Sequence, residues 1–103
     1  MKKRILLTNL RLKDYAGSEI NCLSLANYFN SKGYYVEVAT FTYDYPVKKE
    51  FENKKILVKR LTEEKLKHKD YDIIWCQHSI TLDYLLFVLG IKGRRIIMSS
   101  LSV

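Results

Sequence analysis

At 103 residues the chain is sized for one domain with a modest core. Hydrophobic residues make up 48% of it, which excludes a disordered polymer, and no apolar run is long enough to cross a bilayer. Against 11 Asp and Glu stand 18 Lys and Arg, a net charge of +7 that favours anionic partners.

The start, Met1-Lys2-Lys3-Arg4, has the basic character of a signal peptide. The apolar run behind it is only Ile5-Leu6-Leu7, too short for an export signal, so a cytosolic N-terminus is expected. Arg4 to Asn9 reads as a strand and Asn9 to Ala16 as a basic, polar loop. Gly17-Ser18-Glu19 then opens a helix that runs to about Lys32 and stops at Gly33. In it Cys22, Leu23, Leu25, Ala26 and Phe29 share one face, while Asn21, Ser24, Ser31 and Lys32 take the other. A buried strand that feeds a glycine turn at a helix N-terminus makes a site for anions, because free N–H groups and the helix dipole meet there. Tyr34 to Phe41 is β-branched and aromatic, a second strand. Strand, helix and strand form a right-handed parallel unit.

Thr42 to Lys55 holds the only proline, Pro46, and reads as a loop with a turn or two of helix around Lys48 to Glu52. Ile56 to Leu61 is a third strand, placed nearer the sheet edge by its two cations. Thr62 is suited to cap a short helix, with Glu63 and Glu64 in its first turn and Lys65, Lys67 and Lys69 later. The Lys67-His68-Lys69 cluster reads as its solvated end. Asp70-Tyr71-Asp72 leads into Ile73 to Gln77, a run typical of a central parallel strand. His78 and Ser79 follow, with Ser79 as N-cap of a helix over Ile80 to Leu89 that ends at Gly90 or Gly93. Tyr84 to Leu89 is apolar nearly all round, so it is expected to be buried or to cover something apolar. Arg94 to Ser100 is a fifth strand.

The alternation predicts an α/β fold: a doubly wound, mainly parallel sheet of about five strands in the order 3-2-1-4-5. Strands one and four then meet at the switch point, where ligands bind beyond the carboxyl ends. Asn9 to Glu19, Gln77 to Ser79 and Ser99 to Leu101 fall there. Cys22 and Cys76 fit no metal or redox spacing and read as buried thiols. No Arg/Lys-rich helix is interleaved with aromatics, so no nucleic-acid partner is expected.

Several stretches carry a resemblance. Ala16-Gly17-Ser18-Glu19 precedes Ala26, Phe29, Gly33 and Val36-Glu37-Val38. Tyr71 to His78 is a strand that ends in a histidine, and Arg95 to Ser102 follows. In order and spacing the chain resembles the N-terminal Rossmann-like half of GT-B glycosyltransferases, above all the retaining, family-4-like enzymes. The resemblance runs over nearly all 103 residues. One departure is Ala16, where the family has the first glycine of the turn; alanine is strained at positive φ.

The resemblance implies a hexosyltransferase in surface polysaccharide synthesis. His78 would stand at the sugar-transfer centre as the catalytic residue. Ala16, Gly17, Ser18, Glu19, Asn9 and Ser99 would contact substrate or phosphate. No metal and no cofactor is implied, the nucleotide sugar being a substrate. Its nucleotide would be held mainly by a C-terminal domain absent from these residues, so the chain is expected to be an N-terminal piece, inactive alone. The acceptor would be a glycan or a lipid-linked glycan. The location would be cytoplasmic, with an anionic membrane surface as a further partner at the inner face. A receiver domain of flavodoxin-like topology is disfavoured, since Thr8-Asn9 and Arg60-Leu61 stand where it needs acids. A non-catalytic binding domain is the alternative, and an exposed patch around Tyr84 to Leu89 would mark it.

Overall fold

A computed structural model describes residues 2–98. Five strands form one sheet: β1 (Arg4–Leu12), β2 (Tyr35–Tyr43), β3 (Leu57–Arg60), β4 (Asp70–Cys76) and β5 (Lys92–Met98). Their order is β3-β2-β1-β4-β5 and every pairing is parallel. This is the expected Rossmann-like arrangement, with β1 beside β4 at the switch point, Ile5 opposite Ile73 and Thr8 opposite Cys76. Ser99, and the part of the expected fifth strand beyond Met98, lie outside the described residues.

Helices α1 (Gly17–Ser31), α2 (Val47–Asn53) and α3 (Ser79–Asp83) flank the sheet. On one face Cys22 and Ala26 of α1 and Val47 and Phe51 of α2 pack on Ile5, Leu7, Val38 and Val58. On the other Leu6, Ala39, Tyr71, Ile74 and Cys76 pack under Leu85 and Ile91. The alternation of Ile5, Leu6 and Leu7 between the faces is the period of two of a strand covered on both sides. Gly33 ends α1 with φ +87° and Gly90 ends the β4–β5 crossover with φ +66°, a region where a side chain is strained.

Three expectations need correction. The polar loop does not begin at Asn9: β1 runs on to Leu12, because β2 is equally long and pairs Arg11 with Thr42 and Leu12 with Tyr43. The capped helix after Thr62 is absent. Only Glu63 and Glu64 turn back, onto the Arg60 carbonyl, and the chain then straightens. It is drawn straight because the Lys67 N–H donates to the buried Glu37 carboxylate at 3.0 Å and the Lys69 carbonyl accepts from Lys92 at 2.8 Å. Ser79 is not the N-cap of its helix; His78 holds that position, with no side-chain cap bond.

The Tyr84 to Leu89 stretch covers the apolar sheet face through Leu85, one of the two outcomes expected of it, without being buried all round. After Asp83 the helix widens to a π-helical turn, Tyr84–Val88, in which the Leu89 N–H returns to the Tyr84 carbonyl. Leu85 is fully buried, but Phe87 is 81% and Val88 64% exposed. A single layer of helix can press only one face on a sheet, and nothing covers the outer one among the described residues.

Candidate functional site

The carboxyl ends of β1 and β4 bring two polar segments together. β4 leaves the sheet after Cys76, and Gln77 and His78 turn the chain into α3. Beyond Thr8 opposite Cys76, the ladder donor of Leu10 lacks a strand partner on that side. The His78 ring replaces it: Nδ1 accepts the Leu10 N–H at 3.2 Å. The same N–H also reaches Asn9 Oδ1 at 3.0 Å; since a backbone N–H only donates, Nδ1 is the acceptor here and the matching neutral tautomer carries its proton on Nε2. No bond to Nε2 occurs among the described residues.

A hydroxyl chain holds His78 from below. The Thr81 hydroxyl donates to the His78 carbonyl at 2.6 Å and lies 3.3 Å from the Thr8 hydroxyl. Thr8 and Thr81 are fully buried. Cys76, beside Thr8 in the ladder, is buried, and burial pushes its thiol up. Sequence reasoning gave neither threonine a role; the signal was a hydroxyl in the last positions of an apolar strand.

Gln77 ties the end of β4 to the start of α1. Its Nε2 donates to the Ser18 carbonyl at 3.0 Å, and its Oε1 lies 3.4 Å from Asn21 Nδ2. The Gly17 turn and His78 are thus held on one rim through Gln77 and His78, the two residues that follow β4. Gln77 was placed on the rim from sequence, but its bridging role was not foreseen.

The turn itself is unstrained. Ala16 has φ −76° and ψ 165°, ordinary extended backbone, so alanine costs nothing where a glycine was expected. Gly17 has open space where a side chain would start: nothing lies within 4 Å of an added Cβ. No side-chain cap bond closes α1, so its first-turn N–H groups and the dipole of a 15-residue helix face the rim. Glu19 is buried, and its carboxylate accepts the N–H groups of Lys13 at 2.5 Å and Asp14 at 2.6 Å. It therefore shapes the 13–16 loop from beneath. Asp14 pairs with Arg11 at 2.7 Å on the exposed outer side.

Asn9 is fully buried at the same end. Its Oδ1 accepts the Leu10 N–H at 3.0 Å, while Nδ2 has no partner among the described residues. An unmatched buried donor is uncommon and marks a place for a water or a ligand oxygen. Of the expected site residues, Asn9, Ala16, Gly17, Ser18, Glu19 and His78 lie at this end; Ser99 is outside the described residues.

Three hollows lie elsewhere. A groove of about 380 Å³ runs between the 61–69 segment and Leu89 and Ile91. Two recesses of about 360 and 460 Å³ open at the amino ends of β1, β4 and β5. None of the three is lined by a rim residue. The chemistry-bearing residues and these three hollows therefore belong to different surfaces. Among the described residues no group of three or more His, Cys, Asp and Glu could hold a metal ion, and no helix is long and apolar enough to cross a membrane. Comparison with protein-family models, curated proteins and solved structures finds no match for the chain.

Proposed function

We propose that the chain is the acceptor-side half of a glycosyltransferase that moves a sugar from a nucleotide-sugar donor to a glycan or lipid-linked glycan. The observation that carries this reading is the His78 ring, anchored through Nδ1 on Leu10 and left with Nε2–H for a substrate. A single anchored donor beside an uncapped helix N-terminus suits a sugar hydroxyl and a developing negative charge. In this reading Nε2–H bonds the reacting sugar or acceptor hydroxyl. The first-turn N–H groups of α1 and Asn9 orient the acceptor, and Gln77 keeps the two segments in register. A second domain supplies the nucleotide site, and the 103 residues alone transfer no sugar.

The test uses the longer enzyme, or this chain joined to a nucleotide-binding half. His78→Ala should lower kcat by about 100-fold while the donor Kd moves less than about twofold. His78→Asn is the sharper variant, since its Oδ1 is placed to keep the Leu10 bond without offering a donor at Nε2. Unchanged turnover in His78→Asn would return the residue to a purely structural role. A second reading, a non-catalytic binding domain, is favoured by the exposure of Phe87 and Val88.

A further inference from the structure

A doubly wound sheet covers its faces with the helices of its crossovers, and one crossover here brings none. β1, β2 and β4 are each followed by a helix, whereas β3 reaches β4 through the 61–69 segment, which is not helical. That segment crosses the face on which Leu85 and Ile91 pack. The gap left beside it is the groove of about 380 Å³, walled by Leu61 and Leu66 on one side and by Leu89 and Ile91 on the other. Phe87 and Val88, directly before Leu89 in the chain, are exposed and add apolar surface next to that wall.

The charged groups at the mouth of the groove do not balance. Glu63 is paired with Arg60 at 3.1 Å and Glu64 with Lys59 at 3.8 Å. Lys65 is exposed and has no carboxylate partner among the described residues. Lys69 has none either; its Nζ donates to the Leu89 carbonyl at 3.2 Å, and the neighbouring Asp70 is held by Arg4 at 2.9 Å. The charge left over is therefore positive. The backbone of the walls is already engaged. The N–H groups of Leu61, Leu89 and Ile91 donate to the carbonyls of Thr40, Tyr84 and Leu85 at 2.8, 3.1 and 2.9 Å. An extended peptide would find no ladder there, whereas a helix satisfies its own backbone.

We propose that this groove takes an acidic amphipathic helix of a partner protein, with its apolar stripe between the two walls and its carboxylates on Lys65 and Lys69. Such a helix stands where the β3–β4 crossover has none, and its apolar residues at i, i+3, i+4 and i+7 form the single line of contacts that a groove accepts. Phe87 and Val88 pack against its flank, which takes two exposed apolar side chains out of water. A small anionic ligand would fill the groove but leave that pair in water. A second copy of this chain brings the same excess of cations to the same surface and is repelled. The groove shares no residue with the His78 rim and does not depend on the sugar-transfer reading.

The experiment is selection of stapled helical peptides from a display library on the immobilised 103-residue chain, followed by fluorescence anisotropy with the winning peptide. Winners should be acidic and carry apolar residues at i, i+3, i+4 and i+7. Leu66→Glu, which puts a carboxylate in the wall, should bind the winning peptide more than about tenfold more weakly. Phe87→Ser, which keeps every charge, should bind it about tenfold more weakly. Lys65→Glu should bind it about threefold more weakly at low salt, a gap that closes at high salt. Lys49→Glu makes the same charge change at an exposed position of α2, which packs on the other sheet face, and should bind as the wild type does. Circular dichroism confirms that each variant is folded. Lys65→Glu and Phe87→Ser, both at exposed positions, decide the matter if Leu66→Glu does not fold. Wild-type binding by both of those variants, winners that are basic or lack the helical spacing, no winner at all, or a wild-type dimer in sedimentation that Phe87→Ser dissolves overturns the proposal.

Discussion

Glu37 offers the sharpest test of the structural reasoning. It sits in the middle of β2 with no exposed surface, a carboxylate inside the sheet. Three donors converge on it: the Tyr71 hydroxyl at 2.5 Å, the Lys67 N–H at 3.0 Å and the Tyr35 hydroxyl at 3.3 Å. Glu37→Leu keeps the bulk and removes every acceptor. Tyr71 is buried and cannot turn to water, and the Lys67 N–H loses the one partner it has among the described residues. Each orphaned donor costs roughly 1–3 kcal/mol, so the loss should be about 2–5 kcal/mol. That is a large share of the roughly 5–15 kcal/mol typical of a small domain. Urea unfolding followed by the fluorescence of Trp75, the only tryptophan, measures it. Adding Tyr71→Phe removes one orphan and should restore about 1–3 kcal/mol. A Glu37→Leu protein within roughly 0.5 kcal/mol of wild type, below the effect of one lost buried bond, would refute the cage.

Alkali should unfold the protein. Burial pushes Cys22 from 9.0 to about 12, and burial with nearby carboxylates pushes Tyr35 and Tyr43 from 10.0 to about 12 and raises Tyr71 further. These acids are neutral when folded and ionise sooner when unfolded, so stability present below pH 9 falls as pH rises toward about 12. A flat urea midpoint across that window would contradict this, and at pH 8 a thiol reagent should label Cys22 and Cys76 only after unfolding. Gly93→Ala should destabilise by about 1–3 kcal/mol, because its Cβ would meet Ile74 Cδ1 and Cγ1 at 2.7 Å. Gly17→Ala, with open space and ordinary φ, should be neutral within about 0.5 kcal/mol, and thermal melts of the pair decide whether close approach or glycine content matters.

The strand order was readable because each strand is an apolar run bounded by polar turns, and crossovers in such sheets have one hand. α1 was readable from Cys22, Ala26 and Gly33. What escaped were features set by distant partners. Lys67 looks helical in a sequence window, yet its N–H is claimed by a carboxylate 30 residues earlier. Phe87 and Val88 look like core, yet their side of the helix meets no second layer. On the rim, His78 was legible as a polar residue that ends a strand. Its tautomer was not, since Leu10 N–H is 68 residues away. Glu19 was legible as an acid in a first turn, but its hold on Lys13 and Asp14 depends on the path of a loop that β1 shortens.

A parallel sheet also separates what its two ends feel. The nine residues of β1 span about 30 Å at roughly 3.3 Å each, and the described residues measure 31 × 29 × 28 Å. Physiological salt screens charge over about 8 Å, so a lysine at the start of β1 is more than three screening lengths from the loop that follows it. The electrostatic potential at one end therefore carries almost no information about the other. Charges around Lys2 and Lys92 can be rewritten, for solubility or for a new surface, while the imidazole of His78 keeps its environment. The same spacing sets a reach: any long polymer grasped at one end of the molecule must cross a full domain diameter to be felt at the other.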